Sequence, residues 1–448
     1  MNRRFILKAS LTLVFALLFQ LCSFAFEYHV MLGYVDMREA CIWVQTENPC
    51  KISVSVNIQG SKSKSMIIES STEGEFAFIQ HIILPNLEPA TTYDYTLAFA
   101  PDNQNYTASS EPYHFTTQAL WQYRTDPPNF RLATGSCAFI NEEQYDRPGK
   151  PYGGNYEIFE SIAAKNPDLM LWLGDNIYLR EVDFAAKSGI AHRYSHARAL
   201  PEMQKLLSAC AHYAIWDDHD FGPNDADRSY VHQDWTFEAF KNFWANPSYG
   251  IPGKPIPGGI TTQFHWSDVE FFLLDNRSYR IPTNVVGSEE PTILGNDQIN
   301  WLIEALRYSR APFKIITMGG QFLNTEKKFE NYSVWEKERQ RILDAIQANN
   351  IQGVVFLSGD RHCGELSELK LTNDNVVYDL TVSPLTSTAY DNTKENNTLR
   401  VMKTLIPQRH FATLDFSGPA GKRVMKISTW DTTGKLLYEK EIAQPIKP

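Results

Sequence analysis

The sequence predicts an α/β chain led by an all-β domain. Three observations carry this. Residues 27–117 hold short β-rich runs parted by polar turn residues. Beyond residue 129, apolar runs of strand length alternate with segments of helical periodicity. Those later strands repeatedly end in chemistry-bearing residues, at the edge where open α/β sheets place their sites.

The elements follow in order. Met1-Asn2-Arg3-Arg4-Phe5-Ile6-Leu7-Lys8 is basic, an apolar run from Leu11 to Leu21 follows, and Ser23-Phe24-Ala25 offers a small-residue cleavage site. Residues 1–25 therefore read as an export signal to the periplasm or cell exterior. Arg3-Arg4 keeps both twin-arginine and ordinary secretory routes open. The run is shorter than the roughly 20 residues of a membrane span. Residues 26–117 read as a fibronectin-type β-sandwich, with Ala40–Val44 and Ile52–Val56 as strands and Leu87–Tyr95 as its tyrosine corner. Residues 118–128 are a linker, broken by Thr125-Asp126-Pro127-Pro128.

The catalytic part, 129–448, begins with strand Phe130–Thr134. Helix Tyr156–Lys165, strand Asp168–Leu173, helix Pro201–Cys210 and strand Tyr213–Trp216 follow. Strand Glu270–Asp275, helix Asp297–Arg310 and strands Phe313–Met318 and Gly353–Ser358 continue the alternation. A closing hairpin runs from Arg423 through Thr433-Gly434. The Trp235–Trp244 aromatics read as helix packing, and loops 180–200 and 245–265 as the pocket rim.

Bulk properties narrow the function. The chain has 448 residues, 43% hydrophobic and 21% charged, enough for two or three globular domains. Asp+Glu exceed Lys+Arg, 52 against 42, which argues against nucleic-acid partners. Of six cysteines, Cys22 falls in the signal. The other five are too sparse for a disulfide framework, although Cys41–Cys50 remains one possible pair.

The strand ends supply the chemistry. Four carboxylates, Asp217, Asp218, Asp220 and Asp225, share residues 214–225 with His219, and such a stretch needs either open water or a cation. A lone strand-end Cys is usually a small buried hydrophobe, and a lone Tyr a packing residue. Here Gly135-Ser136-Cys137, Gly174-Asp175-Asn176-Ile177-Tyr178, Trp216-Asp217-Asp218-His219-Asp220 and Ser358-Gly359-Asp360-Arg361-His362 occur in that order. Together with Leu274–Arg280 and the Gln298…Trp301-Leu302 helix, the chain resembles the PhoD-type alkaline phosphatases, a branch of the calcineurin-like metallophosphoesterase superfamily.

The resemblance implies a fold and a site. The fold is a calcineurin-like metallophosphoesterase sandwich of two mixed sheets flanked by helices, preceded by the β-sandwich. Cys137, Tyr178 and His362 match ligands of a ferric ion, and Asp175 the bridging carboxylate. Asp218 and Asp360 match second-metal positions where the wider superfamily places an Asn and an imidazole, and their oxygen donors suit a hard ion such as calcium, with zinc or manganese as alternatives. Asn224 is a candidate for an additional ion. His219 matches the group that assists the leaving oxygen, and Asp217 and Asp220 would support the turn or the imidazole. Arg277 and Arg361 are candidate phosphate binders, and Cys363 reads as structural. The implied reaction is hydrolysis of a small phosphate ester by metal-activated hydroxide, monoesters first and diesters such as phospholipid or teichoic-acid fragments second. The alternative from another class is a calcium-binding adhesion protein that catalyses nothing. Neither calcium binding nor adhesion requires His219 or a thiolate.

Overall fold

A computed structural model describes residues 26–61, 65–72, 74, 77–101, 105–253 and 259–445. The expected export signal lies outside the described residues, as do residues 254–258 of the expected rim. No helix among the described residues is long and apolar enough to cross a membrane.

The first part consists of two antiparallel sheets. One orders Tyr28–Val35, Ala40–Thr46 and Ile79–Leu84; the other orders Met66–Ser71, Cys50–Ile58, Thr92–Pro101 and Ala108–Ser109, with Tyr113–Thr116 also on Thr92–Pro101. Period-two burial fixes the register: Cys50, Ile52, Val54 and Val56 turn inward, and Lys51 turns out. The Tyr93 hydroxyl accepts the Glu88 N–H at 2.8 Å, closing the expected tyrosine corner. Cys41 and Cys50 are both buried and are not joined to each other, so that pairing is not made.

The second part is built on two six-stranded mixed sheets. The first orders Ala211–Ile215, Leu169–Leu173, Phe130–Gly135, His410–Ser417, Val424–Asp431 and Leu436–Ala443; its first three strands are parallel. The second orders Thr262–Trp266, Val269–Leu273, Lys314–Met318, Val354–Ser358, Val376–Thr381 and Glu365–Lys370; its middle four are parallel. The sheets meet through one apolar core, where Phe130 reaches Trp266 at 6.4 Å and Phe416 reaches Phe313 at 5.7 Å. Along Val354–Ser358, Val355 and Leu357 turn into that core. Val354 and Phe356 turn the other way, onto helices Gly295–Tyr308 and Glu336–Ala348. The even apolar runs in the sequence thus reflect strands covered on both faces.

Segment 187–198, expected in a rim loop, is a helix, Lys187–Arg198. Its buried face includes Arg193 and Arg198, so it carries little apolar periodicity. Arg193 pairs with Glu142 and Asp183 at 2.6 and 2.9 Å.

The sandwich and the catalytic sheets share a single core. Val35 N–H donates to the Tyr213 hydroxyl at 3.3 Å, Val30 N–H to Gln204 Oε1 at 3.0 Å, and Trp43 Nε1 to the Asn242 carbonyl at 2.7 Å. At Gly33 the approach is so close that a Cβ would stand 2.6 Å from that of Ala245.

Candidate active site

The parallel strands of both sheets deliver their C-terminal ends to one place. Strand Phe130–Gly135 leads to Cys137, Leu169–Leu173 to Asp175, and Ala211–Ile215 to Asp217 and Asp218; from the other sheet, Val354–Ser358 leads to Asp360 and His362. Cys137, Asp175, Asp360 and His362 have φ of 60, 50, 62 and 52°, left-handed backbone in which a side chain is disfavoured. Such strain costs on the order of 1–3 kcal/mol per residue and gathers at functional sites. Room for it comes from glycine: at Gly319 a Cβ would lie 2.4 Å from the Asp217 carboxylate.

Three groups of mutually close donors result. The first is Cys137, Asp175 and His362. Cys137 Sγ lies 3.4 Å from Asp175 Oδ2, and the Tyr178 hydroxyl lies 3.3 Å from Asp175 Oδ2 and 3.2 Å from His362 Nε2. The second is Asp175, Asp218 and His219, so the Asp175 carboxylate belongs to both. The third is Asp217, Asp218 and Glu330. His219 is the second residue of the short helix Asp218–Phe221, and its ring lies 4.2 Å from that of Tyr178, between centroids.

Electrostatics says what the groups lack. Desolvation, with repulsion from Cys137, Asp218 and Asp217, holds Asp175 well above the usual carboxylate range. Desolvation pushes Asp217 up to about 7. The same effect, reinforced by the charges of Glu330 and Asp217, pushes Asp360 up to about 8. Burial likewise pushes the Cys137 thiol up to about 11 and holds His219 below its ordinary value. Asp217 Oδ2 and Asp218 Oδ1 are buried with no hydrogen-bond partner. Crowded acids with orphaned oxygens require either protons or cations, so these residues fit a metal centre. The sulfur, phenol and imidazole donors suit a transition metal, and the carboxylate-only group suits a harder ion.

The remaining expected residues fall around this centre. Asp220 accepts the Asp217 N–H at 3.1 Å and the Asn176 N–H and Nδ2 at 3.1 Å each, so it ties the Asp175 and Asp218 loops together. Asp217 does more than cap: it accepts from Arg277 Nε and Asn276 Nδ2, each at 2.6 Å. Arg277, expected as a phosphate binder, is instead engaged internally. Its three nitrogens face Asp217, Glu330 and the Ala226 carbonyl, and it is 1% exposed. Arg361 pairs with Glu395 and lies 4.8 Å from the Phe329 ring. Asn224 is exposed on the turn after the short helix; it is the Asp225 N–H that reaches Asp218 Oδ2, at 2.8 Å. Cys363 accepts from Asn392 Nδ2 at 3.0 Å, as a structural residue would.

A family model described as PhoD-like phosphatase matches residues 132–429, more than half of the chain. The chain belongs to the PhoD-like phosphatase family. A second model, described as a domain of unknown function (DUF7800), matches residues 30–117. Alkaline phosphatase D of Bacillus subtilis (strain 168) is 24% identical, with 54% of this chain and 48% of that protein covered, so the alignment spans about half the relative's length. The solved structure of PhoD superposes with a TM-score of 0.73 at 17% identity, covering 93% of this chain and 92% of that one. That likeness establishes the α/β fold with mixed sheets and leading β-strands.

In this PhoD-like phosphatase fold, sequence reasoning missed Glu330 and Ser383. Glu330 sits on a loop after Phe329 with no strand-end pattern to flag it. Ser383 follows strand Val376–Thr381, which was itself not predicted. A search for hydroxyls just beyond apolar runs would have found it.

Proposed function

We propose that this chain is an exported, metal-dependent phosphoesterase acting on small phosphate esters, monoesters first, with diesters as the second substrate class. The sharing of Asp175 between two donor groups beside His219 carries this reading. In it Asp175 would be shared by two ions. Cys137, Tyr178 and His362 would hold a ferric ion, while Asp218 and Asp360 would serve calcium, with zinc or manganese as alternatives. When bound, the ions supply Lewis acidity toward a phosphoryl oxygen and lower the pKa of water.

The chain's own residues do the rest. On loading, the thiol, phenol and carboxyls would release their protons to solvent, and the bound positive charge would offset the burial and repulsion that raise their pKa values. His219, on the partly open side of the group, is placed to donate to the phosphoryl or leaving oxygen. Asp220 holds that turn against the Asp175 loop, and the Arg277–Glu330 pair holds Asp217. The two sheets take the calcineurin-like arrangement in this reading, and residues 1–25 direct export. The test is hydrolysis of a chromogenic phosphomonoester and a phosphodiester by the mature chain, beside metal analysis. Turnover that depends on bound metal supports the reading; a fully loaded chain with no turnover of either ester sinks it.

A further inference from the structure

The Ser383 side chain is fully buried between two candidate ligands on different sheets. Its Oγ accepts the His362 backbone N–H at 3.0 Å and donates to Cys137 Sγ at 3.1 Å. A hydroxyl has one proton, and the incoming N–H leaves that proton free for the sulfur. Of the other hydroxyls nearby, Tyr178 faces Asp175 and His362 at 3.3 and 3.2 Å, and Ser136 donates to the Val382 carbonyl at 2.9 Å and stands 3.5 Å from the sulfur. Ser383 is therefore the principal hydroxyl donor to Cys137, and the same atom steadies the left-handed backbone of His362.

We propose that Ser383 is a positioning residue of the metal centre, coupling the Cys137 and His362 ligands and setting how much charge the Cys137 sulfur gives to a bound metal. The inference rests on the metal-centre reading above. A hydrogen bond to a thiolate lowers the energy of its lone pairs, so sulfur-to-metal charge transfer needs more energy with the bond than without it. Only a hydroxyl plays both parts at this position; alanine loses both and threonine keeps both. The surrounding loop does not depend on the hydroxyl. Val382 N–H donates to the Ser358 carbonyl at 2.9 Å, and Leu385 N–H to the Ser136 carbonyl at 2.8 Å, so Ser383→Ala leaves the chain path anchored.

The test titrates cobalt(II) into the metal-free full-length mature protein and reads the thiolate charge-transfer band, with Cys137→Ser identifying the band as that of Cys137. In Ser383→Ala the band should move to lower energy and cobalt affinity should fall about 10–100-fold, the usual effect of losing a ligand's supporting partner. Ser383→Thr should keep both near wild type. An unchanged band energy in Ser383→Ala overturns the inference, whatever the affinity does, and so does a threonine variant that behaves like alanine. A wild-type chain with no Cys137-dependent band would sink the metal reading itself, and this inference with it.

Discussion

The backbone N–H of His219 donates to Asp175 Oδ1 at 3.3 Å. The candidate acid group is thus placed by the same carboxylate that two donor groups share. Asp175→Asn keeps an acceptor for that N–H but removes the charge. The expected result is loss of bound metal and a fall in turnover of roughly 10³-fold or more, with the fold intact. Metal analysis and kinetics on one preparation check it; an Asn variant that loads metal normally would refute the bridging role.

His219→Gln separates chemistry from metal loading. His219 joins Asp175 and Asp218 in only one group, and His362 and Cys137 lie apart from it in the other. Metal content should stay near wild type while kcat drops roughly 10²–10⁴-fold, the usual worth of a positioned proton donor. If metal is lost in parallel with activity, His219 is a ligand instead.

Arg277 is the buried counter-charge of the third group. Removing it strips Asp217 of its buried cation and leaves Glu330 with Arg280 alone, and breaking a buried pair in this way typically costs about 3–5 kcal/mol. Arg277→Met should therefore unfold at markedly lower urea concentration than wild type at equal metal loading. Adding Glu330→Gln should recover part of the loss. A phosphate-binding Arg277 predicts the opposite pattern, raised KM with unchanged stability.

His212 makes a pH prediction away from the metal site. Buried among apolar neighbours, it accepts from Trp172 Nε1 at 2.9 Å on Nδ1, and its Nε2 faces the Leu206 carbonyl at 3.1 Å. Burial lowers its pKa from 6.5 to about 3. Between those values the unfolded chain binds a proton that the folded chain refuses, so stability falls as pH falls through this window. At pH 5 the loss is about 2 kcal/mol, at 1.36 kcal/mol per unit. His212→Gln, which offers an amide acceptor and donor, should flatten the stability–pH slope between pH 4 and 6; an unchanged slope would refute the assignment.

Much of this was legible in the sequence because strands covered on both faces leave unbroken apolar runs, and Gly-Asp or Gly-Ser-Cys just beyond them marks the sheet edge. That edge pattern singled out Cys137, Asp175, Asp218 and Asp360, and the resemblance to the PhoD-type phosphatases added Tyr178, His219 and His362 as candidates. Asp360 lies outside the three close groups among the described residues. What escaped was decided by partners distant in sequence. Arg277 looked free until Glu330, 53 residues on, claimed it. Ser383 is ordinary until Cys137, 246 residues earlier, lies beside it. Helix Lys187–Arg198 was hidden because two arginines, Arg193 and Arg198, share its buried face with Ile190, Tyr194 and Ala197.

The seam between the sandwich and the catalytic sheets has a practical meaning. Gly33 against Ala245 and Val35 against Tyr213 make the leading domain part of the wall that keeps the Ala211–Ile215 strand dry. Inheritance and packing then draw different boundaries: the PhoD-like match begins at residue 132, but the shared core already includes strand Tyr28–Val35. Cutting the chain at the 118–128 linker would strip the strand that carries Asp217 and Asp218 of its cover. The full chain should melt in one transition, and the isolated catalytic half should aggregate instead of working alone.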